Sequence, residues 1–224
     1  MTWQAVIFDM DGVLVDSEPL HFATTNVVLA RRGAAIDRAF YDQRLGMPEV
    51  DFFRDVVDRL QLREAPEELA RERIRESLDV LAGADLLPTD GALECLLLLR
   101  ADGRKLGLAT SAARAQLELI VERFALRSVL SALVAVEEVA HGKPAPDLFL
   151  EAARRLSVAP EECIVVEDAV HGVRAARAAG MAALALPGPG HDGSAHRAAG
   201  ALASLSSLRE LTPELLDSLG TPES

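Results

Sequence analysis

Five short, nearly continuous apolar runs constrain this chain more than any other feature: Ala5–Phe8, Leu106–Ala109, Ala132–Val136, Ile164–Val166 and Ala182–Leu186. Each is bounded by turn residues and lacks the polar alternation of a half-exposed strand, so each reads as a strand covered on both faces. Helical periodicities lie between them. Leu93, Leu96, Leu97 and Arg100 mark one face, with Leu96–Leu99 expected to be buried. Leu117, Ile120, Val121 and Phe124 mark the next, and Leu148, Phe149, Ala152 and Leu156 a third. The segment Val170 to Ala179 stops at Gly180, as a helix with a glycine C-cap does. Strand alternating with helix predicts a doubly wound α/β domain on a parallel sheet.

The gap after the first run breaks this rhythm. From Ser17 to Leu86 there is helical periodicity and no convincing strand. Leu20 to Arg32 stops at Gly33. Phe52, Phe53, Val56, Val57 and Leu60 share one face of a helix opened by Pro48. Pro66 opens another, with Leu69, Ile74, Leu78 and Leu81 inward. The expected organisation is an α/β core of residues 1–16 and 87–224, interrupted by an all-helical domain of residues 17–86. Pro187–Gly200 reads as a surface loop leading to a final helix near Ser207–Leu219.

Composition excludes several roles. The 224 residues, 50% of them apolar, can bury a substantial core. Thirty-five acidic residues against 23 basic ones leave a net charge of -12, which repels phosphate backbones, and only 4% aromatics offer little for base stacking, so no nucleic-acid partner is expected. No apolar run approaches the roughly 18–20 residues of a spanning helix, so no membrane role is expected. Met1-Thr2-Trp3-Gln4 carries no basic region and reads as no signal peptide. Cys95 and Cys163 lack metal-type spacing and are expected to be two buried thiols of a cytoplasmic protein.

Four segments carry chemistry. The first strand runs into Asp9-Met10-Asp11-Gly12, and alternation points Asp9 and Asp11 to the same side. Two such carboxylates repel by about 4 kcal/mol at 4 Å and an effective dielectric near 20. A turn-initiating Asp-Gly is the plainer reading of this segment. A second pair, Glu167-Asp168, follows the strand Ile164–Val166, and two acid pairs at one sheet edge suit a divalent cation with oxygen ligands. Thr110 and Ser111 close another strand before a helix expected near Ala112, which makes an anion site, a helix cap, or both. Lys143, one of two lysines beside Lys105 in a turn, lies between Gly142 and the stiffening Pro144 and Pro146. It is either a solvated side chain or a point-charge partner for phosphate.

Taken together, the Asp9-x-Asp11-Gly12-Val13 segment with Asp16-Ser17, Thr110, Lys143 and Glu167-Asp168 resembles the haloacid dehalogenase-like hydrolase superfamily, in the branch of β-phosphoglucomutase and small-metabolite phosphatases. The resemblance spans Asp9 to Gly172. It implies a Rossmann-like core with a helical cap inserted after the first strand. It further implies Asp9 as nucleophile forming an aspartyl phosphate, and Asp11 as general acid and then base. Thr110, the Ser111 N–H and Lys143 would hold the phosphate. Magnesium would sit on Asp9, the Asp11 carbonyl and Asp168, with Glu167 helping directly or through water. A second aspartate favours phosphoryl transfer over halide displacement. The absence of lysine from residues 12–104 disfavours Schiff-base phosphonate cleavage.

Phosphatase and mutase are separated by fewer residues. His21 aligns with a hinge histidine of β-phosphoglucomutase, or is simply polar on its helix. In Leu45-Gly46-Met47-Pro48-Glu49 an acid stands where the mutase has an arginine for a second phosphate. Glu49 would repel that phosphate if it faced the site, and Arg44 or Arg54 could replace the grip or be solvated. The expectation is a magnesium-dependent phosphatase of a small phosphorylated metabolite, a sugar or polyol phosphate. A β-phosphoglucomutase-like mutase is the alternative, and a non-catalytic binding protein the second alternative.

Overall fold

Each of the five apolar runs forms a strand, and a sixth strand joins them in one sheet. A computed structural model describes residues 3–44, 47, 49–83, 86–188 and 190–220. It divides into two compact units, Met1–Asp16 with Leu87–Ser224, and Ser17–Leu86. In the first unit the chain passes through β1 (Ala5–Phe8) and returns after residue 86 as α5 (Ala92–Ala101), β2 (Lys105–Ala109) and α6 (Arg114–Arg123). It continues through β3 (Ala132–Val134), α7 (Asp147–Leu156), β4 (Cys163–Glu167), α8 (Val170–Ala178) and β5 (Ala182–Ala185). The final elements are α9 (Ser194–Ala198), β6 (Ala203–Ser204) and α10 (Pro213–Leu219). The second unit holds α1 (Glu18–Ala30), α2 (Arg38–Asp42), α3 (Glu49–Leu60) and α4 (Pro66–Gly83).

Among the described residues the six strands are all parallel, in the order β3-β2-β1-β4-β5-β6. This is the doubly wound α/β fold that the strand–helix alternation predicts. The order reverses direction beside β1, so a crevice opens at the carboxyl ends of the central strands. Ala5 and Ile7 pack with Leu148, Phe149, Val165 and Val173, under α7 and α8. Val6, Phe8, Leu106 and Leu108, also buried, fall to the other side by strand alternation. Both cysteines are buried and unbridged, and burial pushes the Cys95 thiol up to about 12.

Several boundaries differ from the sequence reading. Beyond β3, Val136–Glu138 is a 3-10 turn, because the Ala135 N–H donates to Glu138 Oε2 (2.8 Å) and leaves the ladder. Lys105 opens β2 and does not sit in a turn. In α5 the inward face is Ala92, Cys95, Leu96 and Leu99, while Leu97 and Leu98 are exposed: four consecutive leucines do not reveal which pair faces in. Ser194–Ala198 is a helical turn inside the expected surface loop, and β6 is too short to leave a pattern. The final helix starts at Pro213, where the Thr212 hydroxyl accepts from the Leu215 N–H, and Ser207 caps a separate 3-10 turn.

The helical unit has its own core. Val28, Leu29, Phe40, Tyr41, Phe52, Phe53, Val56 and Leu69 are buried together. Phe22, Tyr41, Phe52 and Phe53 form a chain of edge-to-face contacts with centroids 5.2–5.6 Å apart. The Asn26 amide clasps both backbone groups of Ile36, at 2.9 and 3.1 Å. The Asp37 carboxylate caps α2 through the Phe40 N–H. Pro48 and the side chains of Leu78 and Leu81 lie outside the described residues. No described helix is long and apolar enough to cross a membrane.

Candidate active site

The strand register sets the site. Phe8 is level with Leu108 and Val166, so the next residues, Asp9, Ala109 and Glu167, emerge side by side at the carboxyl ends of β1, β2 and β4. The Asp9 N–H still donates to Val166 O and the Thr110 N–H to Val134 O, both at 3.0 Å, so the ladders hold up to the point where side chains enter the crevice. Beyond Asp9 the chain turns tightly. The Gly12 N–H donates to Val15 O, and the Leu14 and Val15 N–H groups donate to Met10 O.

Lys143 reaches into this edge. Its Nζ donates to Asp9 Oδ1 at 2.6 Å and to Glu167 Oε1 at 2.5 Å, and it lies 4.9 Å from the centre of the Phe149 ring. The Lys143 side chain is only 7% exposed, so the solvated reading does not hold. Oxygens of Asp9, Glu167 and Asp168 all lie within 4.8 Å of one another. Burial, against the opposing pull of Lys143 and with the added charges of Glu167 and Asp11, holds the Asp9 carboxyl above the ordinary carboxylate range. Burial would lower the Lys143 ammonium, but Asp9 and Glu167 outweigh it and raise it.

Two glycines are required by close approach. A Cβ on Gly12, whose φ is +73°, would stand 2.2 Å from Asp168 Oδ2. A Cβ on Gly172 would stand 1.8 Å from Glu167 Oε1. The sequence placed Gly12 in a turn and gave no reason for Gly172; the cradles they leave for the two carboxylates are visible only in space.

Thr110 and Ser111 directly follow β2, and what differs from the sequence reading is the helix after them. The helix begins at Arg114, not near Ala112, and Ser111 is exposed and does not cap it. The Ala112 N–H donates to Thr110 Oγ1 (3.0 Å), the Ala113 N–H to Gln116, and the Arg114 N–H to Glu137. The Glu137 carboxylate therefore occupies the first N–H of α6, where an anion would otherwise bind. Among the described residues the Ser111 N–H has no acceptor, and the buried Thr110 hydroxyl keeps its proton for a second partner.

The four candidates in the helical unit, His21, Arg44, Glu49 and Arg54, each have partners within that unit. Glu49, in the first turn of α3, accepts from Nε and Nη2 of Arg73 (the latter at 2.8 Å), and Arg73 Nη1 lies 2.6 Å from His21 Nδ1. The carboxylate of Glu49 is therefore balanced by a largely buried guanidinium. Arg44 pairs with Asp55 at 2.8 Å and stacks 3.6 Å from the Phe40 ring centre, and Arg54 pairs with Asp51. Arg73, which ties α4 to the other two residues, was not singled out from sequence.

Residues 3–180 match the family model described as haloacid dehalogenase-like hydrolase. The chain is 32% identical to the phosphorylated carbohydrates phosphatase of Thermotoga maritima over 178 residues, 80% of this chain and 82% of that protein. It is also 32% identical to the beta-phosphoglucomutase of Bacillus subtilis, over 81% of this chain and 82% of that one. In three dimensions it is similar to a HAD family hydrolase from Deinococcus radiodurans R1 solved with bound phosphate and sodium. The TM-score is 0.78, with 30% identity and 99% of each chain covered. With the family model matching most of its length, and with its strand-end acids on the fold that the family shares, the chain belongs to the haloacid dehalogenase-like hydrolases.

Proposed function

We propose that the protein is a magnesium-dependent phosphatase that hydrolyses a sugar or polyol phosphate through an aspartyl phosphate on Asp9. One observation carries the reading: Asp9, Glu167 and Asp168 converge within 4.8 Å of one another while a buried lysine bridges two of them. Lys143 bonds two of these carboxylates, Asp168 lies close to both, and the Asp11 charge adds to theirs, so the acids outnumber the one ammonium. An all-oxygen donor set with that excess of charge suits a hard divalent cation. The raised Asp9 carboxyl supports the same conclusion, because an ionised Asp9 needs more positive charge than Lys143 supplies.

In this mechanism an Asp9 carboxylate oxygen attacks phosphorus while the ester oxygen leaves and takes a proton from Asp11. Asp11 then withdraws a proton from water as that water attacks the aspartyl phosphate, which releases phosphate and restores Asp9. Lys143, the Thr110 hydroxyl and the Ser111 N–H hold the oxygens of the transferring group. Asp9, the Asp11 carbonyl, Glu167 and Asp168 would hold magnesium, which would supply Lewis-acid neutralisation of the phosphate charge. The remaining contribution is positioning of the attacking and leaving oxygens in line.

The relatives named above support a phosphorylated carbohydrate as the substrate class. A second reading, a mutase like the B. subtilis relative, gains from the Arg73–Glu49 pair, which would remove most of the repulsion on a second phosphate if Glu49 faced the site. Incubation with magnesium and a panel of sugar and polyol phosphates, reading both free phosphate and isomerised ester, separates the two. Phosphate release without isomerisation is the expected result. Isomerisation of β-glucose 1-phosphate would favour the mutase, and neither product across the panel would leave a non-catalytic binding protein.

A further inference from the structure

The loop after β5, given no role by the mechanism above, reaches back to the acid cluster. On α9, His196 is buried, and its Nε2 lies 2.6 Å from the backbone oxygen of Asp168. A carbonyl oxygen only accepts, so Nε2 carries the proton. The other face of the same peptide unit is also held: the Ala169 N–H donates to Glu167 Oε2 at 2.9 Å. The Asp168–Ala169 peptide is thus clamped on both sides, its oxygen by His196 and its N–H by Glu167. Immediately N-terminal to it, the Glu167 carbonyl accepts from the Leu186 N–H at 2.7 Å. The histidine is itself anchored, since its backbone oxygen accepts from the Ala201 N–H at 3.0 Å.

We propose that His196 is a positioning residue for the cation site: by holding the Asp168 carbonyl it fixes the backbone from which the Asp168 carboxylate projects over Gly12. This rests on the reading of Asp168 as a cation ligand. Orientation of ligands by hydrogen bonds one layer out is a general device, and its loss typically weakens metal binding by about 10- to 100-fold. Nδ1 of His196 is buried and has no partner among the described residues. One buried nitrogen left unsatisfied for the sake of the other marks a contact held against a cost.

The test titrates magnesium into metal-stripped, full-length protein by calorimetry, beside melting curves in chelator. His196→Leu is expected to weaken magnesium binding by about 10- to 100-fold, while His196→Gln, whose amide can reach the same carbonyl, stays within about threefold of wild type. Unchanged magnesium affinity in a folded His196→Leu protein overturns the proposal. So does His196→Gln binding as weakly as His196→Leu while melting like wild type. Imidazole nitrogen spectra of the wild type read the same claim without a variant: the Nε2–H tautomer of His196 is required, and the Nδ1–H tautomer overturns it. Asp168→Asn separates the two levels, since wild-type magnesium affinity there would remove the cation-site reading itself.

Discussion

In the α/β unit Lys143 is withdrawn from water and bonded to both Asp9 and Glu167, two buried carboxylates at the ends of apolar strands. The helical unit places its charges differently. Arg31 and Arg32, which follow α1, meet Glu64, Glu72 and Glu76 towards its surface, and apart from the buried Arg73 its interior is mainly phenylalanine, tyrosine and aliphatic side chains. Burying an ion is costly unless every partner is in place, whereas burying an aromatic ring is favourable in itself. The first unit therefore gives up stability to hold a buried charged cluster, and the second draws its stability from an aromatic core. Substitutions in the two units should divide accordingly, with function lost first in one and folding lost first in the other.

The largest effect is expected at Asp9. Asp9→Asn should lower phosphate release by at least about 10⁴-fold, because it removes the proposed nucleophile, while the melting temperature in chelator stays the same or rises. A variant that unfolds as it loses activity would break the contrast. In the helical unit, Phe53→Ala should cost about 3–5 kcal/mol in a denaturant titration, since Phe53 is fully buried and meets the Phe52 ring edge-to-face. A cost below about 1 kcal/mol would show that the aromatic core is not what holds this unit. Gly12→Ala comes next. The Cβ meets the mobile end of Asp168, so the fold can adjust for about 1–2 kcal/mol at this positive φ, but the carboxylate must leave its seat. Calorimetry should show magnesium affinity falling much further than stability, and equal losses would contradict this. The smallest effect is Arg32→Ala, which breaks partly exposed pairs to Glu64 and Glu72. It should cost up to about 1 kcal/mol and leave turnover unchanged.

How far the sequence revealed these features depends on the distance over which each is determined. Acids that end an apolar run announce both the strand and the crevice, so Asp9, Asp11, Glu167 and Asp168 were legible as a group. Lys143 was legible as a candidate, although its burial depends on Phe149 and on the edge it reaches. The features that were not legible are relations between distant segments. Glu137 fills the N-terminus of α6 from the turn after β3, and Arg73 answers Glu49 across 24 residues. His196 meets Asp168 across 28 residues, and Gly172 is required only because Glu167 folds back on it. The run Leu96–Leu99 failed for a different reason: without polar residues inside it, periodicity has no phase.

The most direct measurement is chemical trapping of the phosphorylated side chain. Rapid quenching during turnover with a phosphate ester, followed by borohydride reduction and peptide mass spectrometry, converts an aspartyl phosphate into homoserine. Homoserine at position 9, absent without substrate and absent when magnesium is chelated, is the expected result. Rapid phosphate release with position 9 still aspartate, or with homoserine at another acid, would contradict a phosphoryl group carried on Asp9.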